Sequence, residues 1–147
     1  MPTLFMKLPH EDKVLRTDAL RELTLGEEVV GYTLDIGLNY YRGLPLSAVE
    51  KLEVTVDGEP VPPHLMLFEF NEKLFQPEHL ALAFTEFWGI KRDLRLRVYG
   101  GGLSDGAHEV ALHLELRNVS MQFGPGTYGM IDGSATRTLV LQKEEDK

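Results

Sequence analysis

The 147-residue sequence contains no cysteine, which excludes disulfide bonds, thiolate nucleophiles and cysteine-ligated metals. Basic residues are scarce as well, because 15 lysines and arginines stand against 23 aspartates and glutamates and leave a formal net charge of -8. Such a charge opposes binding to phosphate backbones and anionic membranes. No apolar run reaches the roughly 20 residues that cross a bilayer, and the first residues lack the apolar stretch of a signal peptide. The sequence therefore predicts a cytoplasmic protein that binds neither nucleic acid nor membrane.

Motifs for catalysis are missing too: there is no glycine-rich phosphate loop, no serine nucleophile elbow and no motif built around paired carboxylates. His108 and His113 are close in sequence, but their odd spacing places them on opposite faces of a strand, which argues against a shared metal. His113 and Glu115 share a face and could act as an acid–base pair, although a solvated sheet face explains them more simply. We assign no catalytic or metal-ligating residue to this chain and expect no cofactor in it.

The dominant pattern is an alternation of apolar and polar residues with period two, which is typical of strands. It is clearest around residues 30–41, where every second side chain is predicted to face the core: Val30, Tyr32, Leu34, Ile36, Leu38 and Tyr40. Further strands are predicted at Lys51–Val56, Leu65–Phe70 and Thr136–Gln142. A tight turn is predicted at Asp57-Gly58, before a short edge strand, and one short helix within Gln76–Trp88.

The strongest predicted hairpin joins residues 94–99 to residues 110–117 through the turn GGGLSDG, so that arginines of the first strand face Glu115 of the second. Residues 120–135 show no periodicity and are predicted to form a long loop that carries large apolar side chains. Together the elements predict an all-β fold, an antiparallel β-sandwich or jelly-roll-like domain with one short helix. We expect residues 1–147 to form a single domain, with an N-terminal extension at about residues 1–18 and a charged tail at residues 143–147.

The stretch NYYRGLPLSAVE, Asn39–Glu50, ends a strand with two tyrosines and an arginine. Tyr41 and Arg42 leave the core pattern, and aromatic and guanidinium groups at a strand end are effective anchors for a protein partner or a sugar. Ordinary packing of the loop onto the sandwich is the alternative. The segment SAVE has the form of a capping box and predicts a single helical turn before the next strand.

Two segments carry a family resemblance: GYTLDIGLNYYRGLPLSAVEKLEVTVDGEPVP, and WGIKRDLRLRVYGGGLSDGAHEVALHLELR. In order and spacing over Val29–Arg117 they resemble the beta subunit of bacterial C-glycoside deglycosidases. The resemblance implies a β-sandwich bound to a larger alpha subunit with a TIM-barrel fold, similar to sugar-phosphate isomerases. That partner carries a divalent metal, typically manganese, and an acid–base histidine. The complex cleaves the C–C bond between a 3-oxo-glucosyl group and an aromatic, flavonoid-type aglycone.

On this resemblance, the chain is a non-catalytic subunit and its sites are surfaces. The candidates for docking the alpha subunit are Tyr41, Arg42, Gly43 and Pro45. The candidates for covering the partner or lining the substrate entrance are Met121, Phe123, Tyr128, Met130 and Ile131.

Two other functions stay open at this point. A stand-alone carbohydrate-binding sandwich would stack sugars on Tyr41, Trp88, Tyr99 and Tyr128, and would bind a glycoside by itself. A structural subunit of another isomerase-like enzyme would form the same complex without C-glycoside cleavage.

Overall fold

The computed structural model describes residues 5–7, 11–38, 44–83, 86–89, 92–124 and 127–143. Its strands in chain order are β1 Phe5–Lys7, β2 Leu20–Leu25, β3 Glu28–Gly37, β4 Leu44–Pro45, β5 Val49–Val56, β6 Glu59–Pro60, β7 Met66–Phe70, β8 Lys73–Phe75, β9 Phe87–Trp88, β10 Asp93–Tyr99, β11 Ala107–Gly124, β12 Thr127–Asp132 and β13 Ala135–Val140. The helical segments are α1 Glu11–Val14 and the 3₁₀ helices Leu46–Ala48, Pro63–Leu65 and Pro77–Leu82. No helix among these residues is long and apolar enough to cross a membrane.

Within the described residues, the strands form two large sheets and one small sheet. The six-stranded sheet has the order β1-β12-β11-β5-β6, with β13 also paired to β11, and the five-stranded sheet has the order β2-β3-β10-β7-β8. Strands β4 and β9 form a separate two-stranded sheet. All pairs are antiparallel except β1 with β12. The predicted all-β fold is confirmed.

The two large sheets face each other across one hydrophobic core. Strand β11 contributes the buried apolar residues Val110, Leu112, Leu114 and Leu116 at alternate positions, and β3 and β10 contribute alternating sets from the other sheet. Full burial of one such side chain stabilises the fold by about 1.5–3 kcal/mol. The prediction for β3 is confirmed at Tyr32, Leu34, Ile36 and Leu38, which are buried, whereas Tyr40 lies outside the described residues.

The outward face of β3 is covered as well. Asp35 on this face is buried, and its carboxylate accepts a hydrogen bond from Arg95 Nε at 2.7 Å. Further along, Gly37 lies against the backbone carbonyl of Lys13, which a Cβ would approach to 2.4 Å. The last residue of α1, Val14, and the residue after it, Leu15, lie in the core. The described part of residues 1–18, a range predicted from sequence to be an extension, thus contributes buried side chains and strand β1 to the sandwich.

The predicted hairpin between residues 94–99 and 110–117 is wrong. Strand β10 pairs with β3 and β7 in one sheet, whereas β11 pairs with β5, β12 and β13 in the other. The link between them contains three glycines with positive φ, at Gly100, Gly101 and Gly106, which let the chain turn from one sheet to the other. Accordingly Arg95 pairs with Asp35, and Glu115 pairs with His113 on its own strand.

The predicted long loop at residues 120–135 is also wrong. Strand β11 continues to Gly124 and β12 spans Thr127–Asp132, so this region is mostly a β-ribbon. Its register shifts between Asn118 and Gln122 and again before Gly124. Such irregularities place extra residues on one strand and interrupt the period-two pattern, which explains why the sequence looked irregular.

The shorter elements follow the sequence more closely. Asp57 and Gly58 both have positive φ, at 51° and 83°, and lead into β6 at the edge of the six-stranded sheet. A 3₁₀ helix lies at Leu46–Ala48, where one helical turn was predicted slightly later in the chain. The predicted helix in Gln76–Trp88 is a 3₁₀ helix that ends at Leu82, and the chain is extended again at Phe87–Trp88.

Candidate partner interface

The two-stranded sheet of β4 and β9 presents an exposed aromatic residue on a buried base. Leu44 lies opposite Trp88, and Pro45 lies opposite Phe87. Leu44 and Trp88 are buried in the core, and the indole Nε1 of Trp88 donates a hydrogen bond to the carbonyl of Arg92 at 2.8 Å. Because side chains alternate along a strand, Phe87 points the other way, and 57% of it is exposed. Because Trp88 is completely buried, it is not available as a residue on which a sugar could stack.

A buried carboxylate fixes the chain just before Phe87. Glu86 is buried, and its carboxylate accepts hydrogen bonds from Lys73 Nζ at 3.1 Å and from Asn71 Nδ2 at 3.4 Å. Its backbone carbonyl accepts a hydrogen bond from the amide of Leu46 at 2.8 Å. A buried carboxylate needs such partners. Phe87 is therefore held between two residues, Glu86 and Trp88, that cannot move without breaking buried interactions.

A second exposed apolar residue lies nearby along the chain. Leu82 ends the 3₁₀ helix that begins at Pro77, and 70% of it is exposed. The Glu86 amide, next to Phe87, donates a 3.4 Å hydrogen bond to the carbonyl of Ala83, next to Leu82. We call Pro45, Leu82 and Phe87 the Phe87 patch. Because larger exposed apolar patches mark interaction sites, these three residues are candidates for one.

Of the four predicted docking residues, the structure describes only Pro45. Pro45 belongs to the Phe87 patch, as the partner of Phe87. Tyr41, Arg42 and Gly43 lie outside the described residues, immediately before Leu44 in the chain.

The second set of predicted site residues lies on the ribbon of β11 and β12. The structure describes the backbone of Met121 and Phe123 in β11 and of Tyr128 in β12. Met130 is partly exposed, whereas Ile131 is buried completely and belongs to the core. Of the last two, only Met130 is accessible to a partner in this conformation.

Arg117 links the segment after Pro45 to the ribbon of β11 and β12. It lies opposite Met130 in the β11–β12 pair. Its guanidinium forms an ion pair with Glu50 at 2.9 Å and donates a hydrogen bond to the Ser47 carbonyl at 3.5 Å. Ser47 is two residues after Pro45, so the Phe87 patch and the ribbon are brought to the same end of the sandwich.

The titratable side chains elsewhere form pairs that are better explained as contacts that support the fold than as catalytic groups. His108 is buried, with Nδ1 at 2.5 Å from Asp57 and Nε2 at 2.7 Å from the Ser104 carbonyl. The Asp57 carboxylate, helped by the Ser104 carbonyl, raises the pKa of His108, which favours the imidazolium. His113 is exposed and lies 2.5 Å from Glu115 on the outer face of β11. Across the described ranges, no three His, Asp or Glu side chains are grouped so that they could hold a metal.

Sequence reasoning missed Leu82, Glu86, Phe87 and Arg117. A signal for Phe87 was present, since two adjacent aromatic residues in an extended segment point to opposite faces and one of them must leave the core. Nothing local distinguished Glu86 from a surface glutamate, because its partners come from the β7–β8 turn.

Comparison with known proteins identifies related chains. The sequence profile of the C-glycoside deglycosidase beta subunit family matches residues 10–119. The 3'-dehydrocarminate deglycosidase beta subunit of a Microbacterium species is 36% identical over 87 residues, which cover 59% of this chain and 66%, just under two thirds, of the relative. The C-glycoside deglycosidase beta subunit of Microbacterium trichothecenolyticum is 30% identical over 109 residues, covering 72% of this chain and 73% of the relative. That of Eubacterium cellulosolvens is 26% identical over 102 residues, covering 68% and 69%.

Proposed function

Because the chain belongs to the C-glycoside deglycosidase beta subunit family, we propose that it is the non-catalytic subunit of a heteromeric enzyme that releases aromatic aglycones from C-glycosides. The partner in this proposal is a TIM-barrel alpha subunit, similar to sugar-phosphate isomerases, that contains the catalytic centre. One relative is named for a 3'-dehydro substrate, which supports a 3-oxo-glucosyl group on the substrate of this complex. The aglycone class that we propose is flavonoid-like.

The proposed reaction explains why the chemistry is assigned to the partner. A ketone at C3 of the sugar acidifies the proton on C2, so the aglycone can leave by elimination once its aromatic carbon is protonated. That step requires a group that moves protons and a positive charge that stabilises the enediolate. In the proposal, a histidine and a divalent metal, typically manganese, supply these on the alpha subunit. The beta subunit contributes the surface on which that barrel is held.

The observation that carries the docking proposal is the exposed Phe87 on its fixed base. Aromatic side chains that become buried at the centre of an interface contribute much of its binding energy. The contacts of Trp88 and Glu86 hold the backbone at Phe87 in place before any partner arrives, so little backbone entropy is lost on binding. We propose that the Phe87 patch enters an apolar depression on the alpha subunit.

The ribbon is the second part of the proposed surface. Its described pairs run outward from Asn118 with Gly129, through Gln122 with Tyr128, to Gly124 with Thr127, whereas the pairing of β11 with β5 ends at Leu116. The ribbon therefore extends past β5 at the end where the Phe87 patch lies. We propose that it contacts the alpha subunit or lines the entrance for the flat aglycone, with Met130 on its accessible face.

Co-expression tests the proposed function. A tagged form of this chain is produced with a candidate isomerase-like alpha subunit, purified through the tag, and supplied with Mn²⁺ and a 3-oxo C-glucoside. We expect both chains to co-purify and the aglycone to be released, with no release when either chain is omitted. A complex without release would instead favour a structural subunit of another enzyme. Failure to form a complex, combined with glycoside binding by this chain alone, would favour a carbohydrate-binding module.

A single variant tests the docking residue predicted from sequence. Arg42→Ala is expected to weaken association with the alpha subunit, because it removes a guanidinium beside the Phe87 patch in the sequence. Unchanged recovery of the partner in the same pull-down would remove Arg42 from the interface.

A further inference from the structure

A cleft of about 580 Å³ opens beside strand β7, between the 3₁₀ helix Pro63–Leu65 and the beginning of the 3₁₀ helix Pro77–Leu82. Small-molecule sites in proteins measure roughly 300–1,000 Å³, so the cleft is large enough for a ligand of several rings. None of its lining residues belongs to the Phe87 patch. Its function is therefore a separate question from subunit docking.

The floor of the cleft is apolar. Leu67 lies between the buried residues Met66 and Phe68 in β7, so its side chain points away from the core and into this space. Leu65 lies beside it and is partly buried. Apolar side chains of this kind favour a ligand that is itself largely apolar, since contact removes both surfaces from water.

An aromatic ring closes one side of the cleft. Tyr99 is the last residue of β10 and is partly buried. Its hydroxyl accepts a hydrogen bond from Arg97 Nη1 at 3.3 Å, and Arg97 Nε donates to Glu69 at 2.9 Å. These contacts fix the orientation of the ring. A tyrosine held in this way offers a ready face for stacking against another aromatic ring.

Proline residues form the two ends of the cleft. Pro63 and Pro77 each begin a 3₁₀ helix, a position for which the restricted φ of proline is well suited. The residues before them, Pro62 and Gln76, are extended. Because the backbone is restricted at both ends, the cleft exists before a ligand binds, which reduces the entropy lost on binding.

Polar side chains are confined to the mouth. His64, Gln76 and Glu78 line the cleft and are exposed. Together they offer both donors and acceptors of hydrogen bonds. An apolar space with polar groups at its margin fits an aromatic ligand that carries hydroxyls on its periphery. A free sugar would instead need polar partners around the whole ring.

From this arrangement we propose that the cleft is a binding site for a hydroxylated planar aromatic molecule of the flavone type, which stacks on Tyr99 and covers Leu67. The choice of ligand class rests on the proposed function, in which such a molecule is the aglycone. The site would give this subunit a role in retaining the aromatic half of the substrate or product, in addition to docking.

Titration of the full chain with the flavone apigenin tests the inference. In ¹⁵N-labelled protein, we expect saturable shifts of the amides at residues 64–67, 76, 78 and 99. Calorimetry should show that Leu67→Asp and Tyr99→Ala each raise the Kd about tenfold or more, because each removes apolar or stacking contact. Tyr99→Phe keeps the ring and should bind within about threefold of the unaltered chain, a difference under 1 kcal/mol. Phe87→Ser, outside the cleft, should bind apigenin normally, and glucose should shift none of these amides.

Several results would overturn the inference. They are the absence of saturable binding, shifts located elsewhere on the chain, equal binding by the cleft variants, or glucose shifting the same amides. If Tyr99→Ala fails to fold, as judged by circular dichroism, the inference is tested by the amide shifts of the unaltered chain and by the Kd of Leu67→Asp. An active two-chain complex whose beta subunit does not bind apigenin would contradict the cleft alone. Apigenin binding without a complex or aglycone release would contradict the proposed function and leave the cleft assignment standing.

Discussion

Replacement of Phe87 by serine should weaken the association of this chain with the proposed alpha subunit without destabilising the fold of the chain. Phe87 leaves 57% of its surface exposed, so docking can remove up to about 110 Å² from water, given that an aromatic side chain buries about 150–250 Å² when fully covered. At about 25 cal/mol per Å², that area is worth at most about 3 kcal/mol. The corresponding increase in Kd is up to about 100-fold. The melting temperature should change little, because the aromatic ring is largely in water already in the free chain.

The chain offers a matched control for this measurement. Leu25 lies at the tip of the β2–β3 hairpin and is 74% exposed, so Leu25→Ser also replaces an exposed apolar side chain by serine. Affinity for the alpha subunit is measured by calorimetry or surface plasmon resonance for both variants, alongside thermal unfolding. The reasoning fails if Phe87→Ser binds as tightly as the unaltered chain, or if both variants lose affinity equally. A large loss of melting temperature in Phe87→Ser would show that the residue supports the fold.

Two further predictions concern the sandwich itself. Gly31→Ala should lower the melting temperature strongly, because the new Cβ would lie 1.9 Å from the carbonyl oxygen of Val98. The control Gly89→Ala, whose new Cβ would have no neighbour among the described residues closer than 3.9 Å, should melt at the same temperature as the unaltered chain. Equal melting temperatures of the two variants would contradict the close approach at Gly31. The Asp57 carboxylate raises the pKa of His108, so this pair should stabilise the fold fully below about pH 6.5 and lose its effect as the pH rises through the folded pKa. Thermal unfolding between pH 5 and 9 should show that decline in the unaltered chain and a flatter profile in His108→Gln; parallel profiles would refute it.

Strand positions could be predicted from sequence, because burial of one face of a strand imposes period two on the chain itself. Residues 30–38 and 94–98 show this pattern, and both are strands with the expected buried face. The partner of each strand could not be predicted in the same way. Consecutive strands are neighbours in most sheets, and that tendency led to the wrong prediction that β10 pairs with β11. Their true partners are set by contacts with strands far away in sequence, which alternation does not encode.

The candidate site was predictable in part for a related reason. Pro45 could be identified because it follows a conspicuous strand end, and the resemblance to a family supplied a reason for a surface there. Phe87 becomes significant only when Trp88 is known to be buried and Glu86 is known to be paired with Lys73. Arg117 likewise looks like one of several strand arginines until its bonds to Glu50 and Ser47 are seen. The proposed role of such residues depends on their tertiary neighbours.

The turn from one sheet to the other at Gly100–Gly106 has a consequence for synthesis on the ribosome. All strands of the five-stranded sheet lie between residues 20 and 99, so that sheet can pair completely while the later part of the chain is still being made. The opposing sheet depends on β11, which is its shared partner. Until β11 emerges, the apolar inner face of the first sheet has no cover and is open to aggregation. Nascent chains that stall before residue 107 should therefore be the ones that require a chaperone.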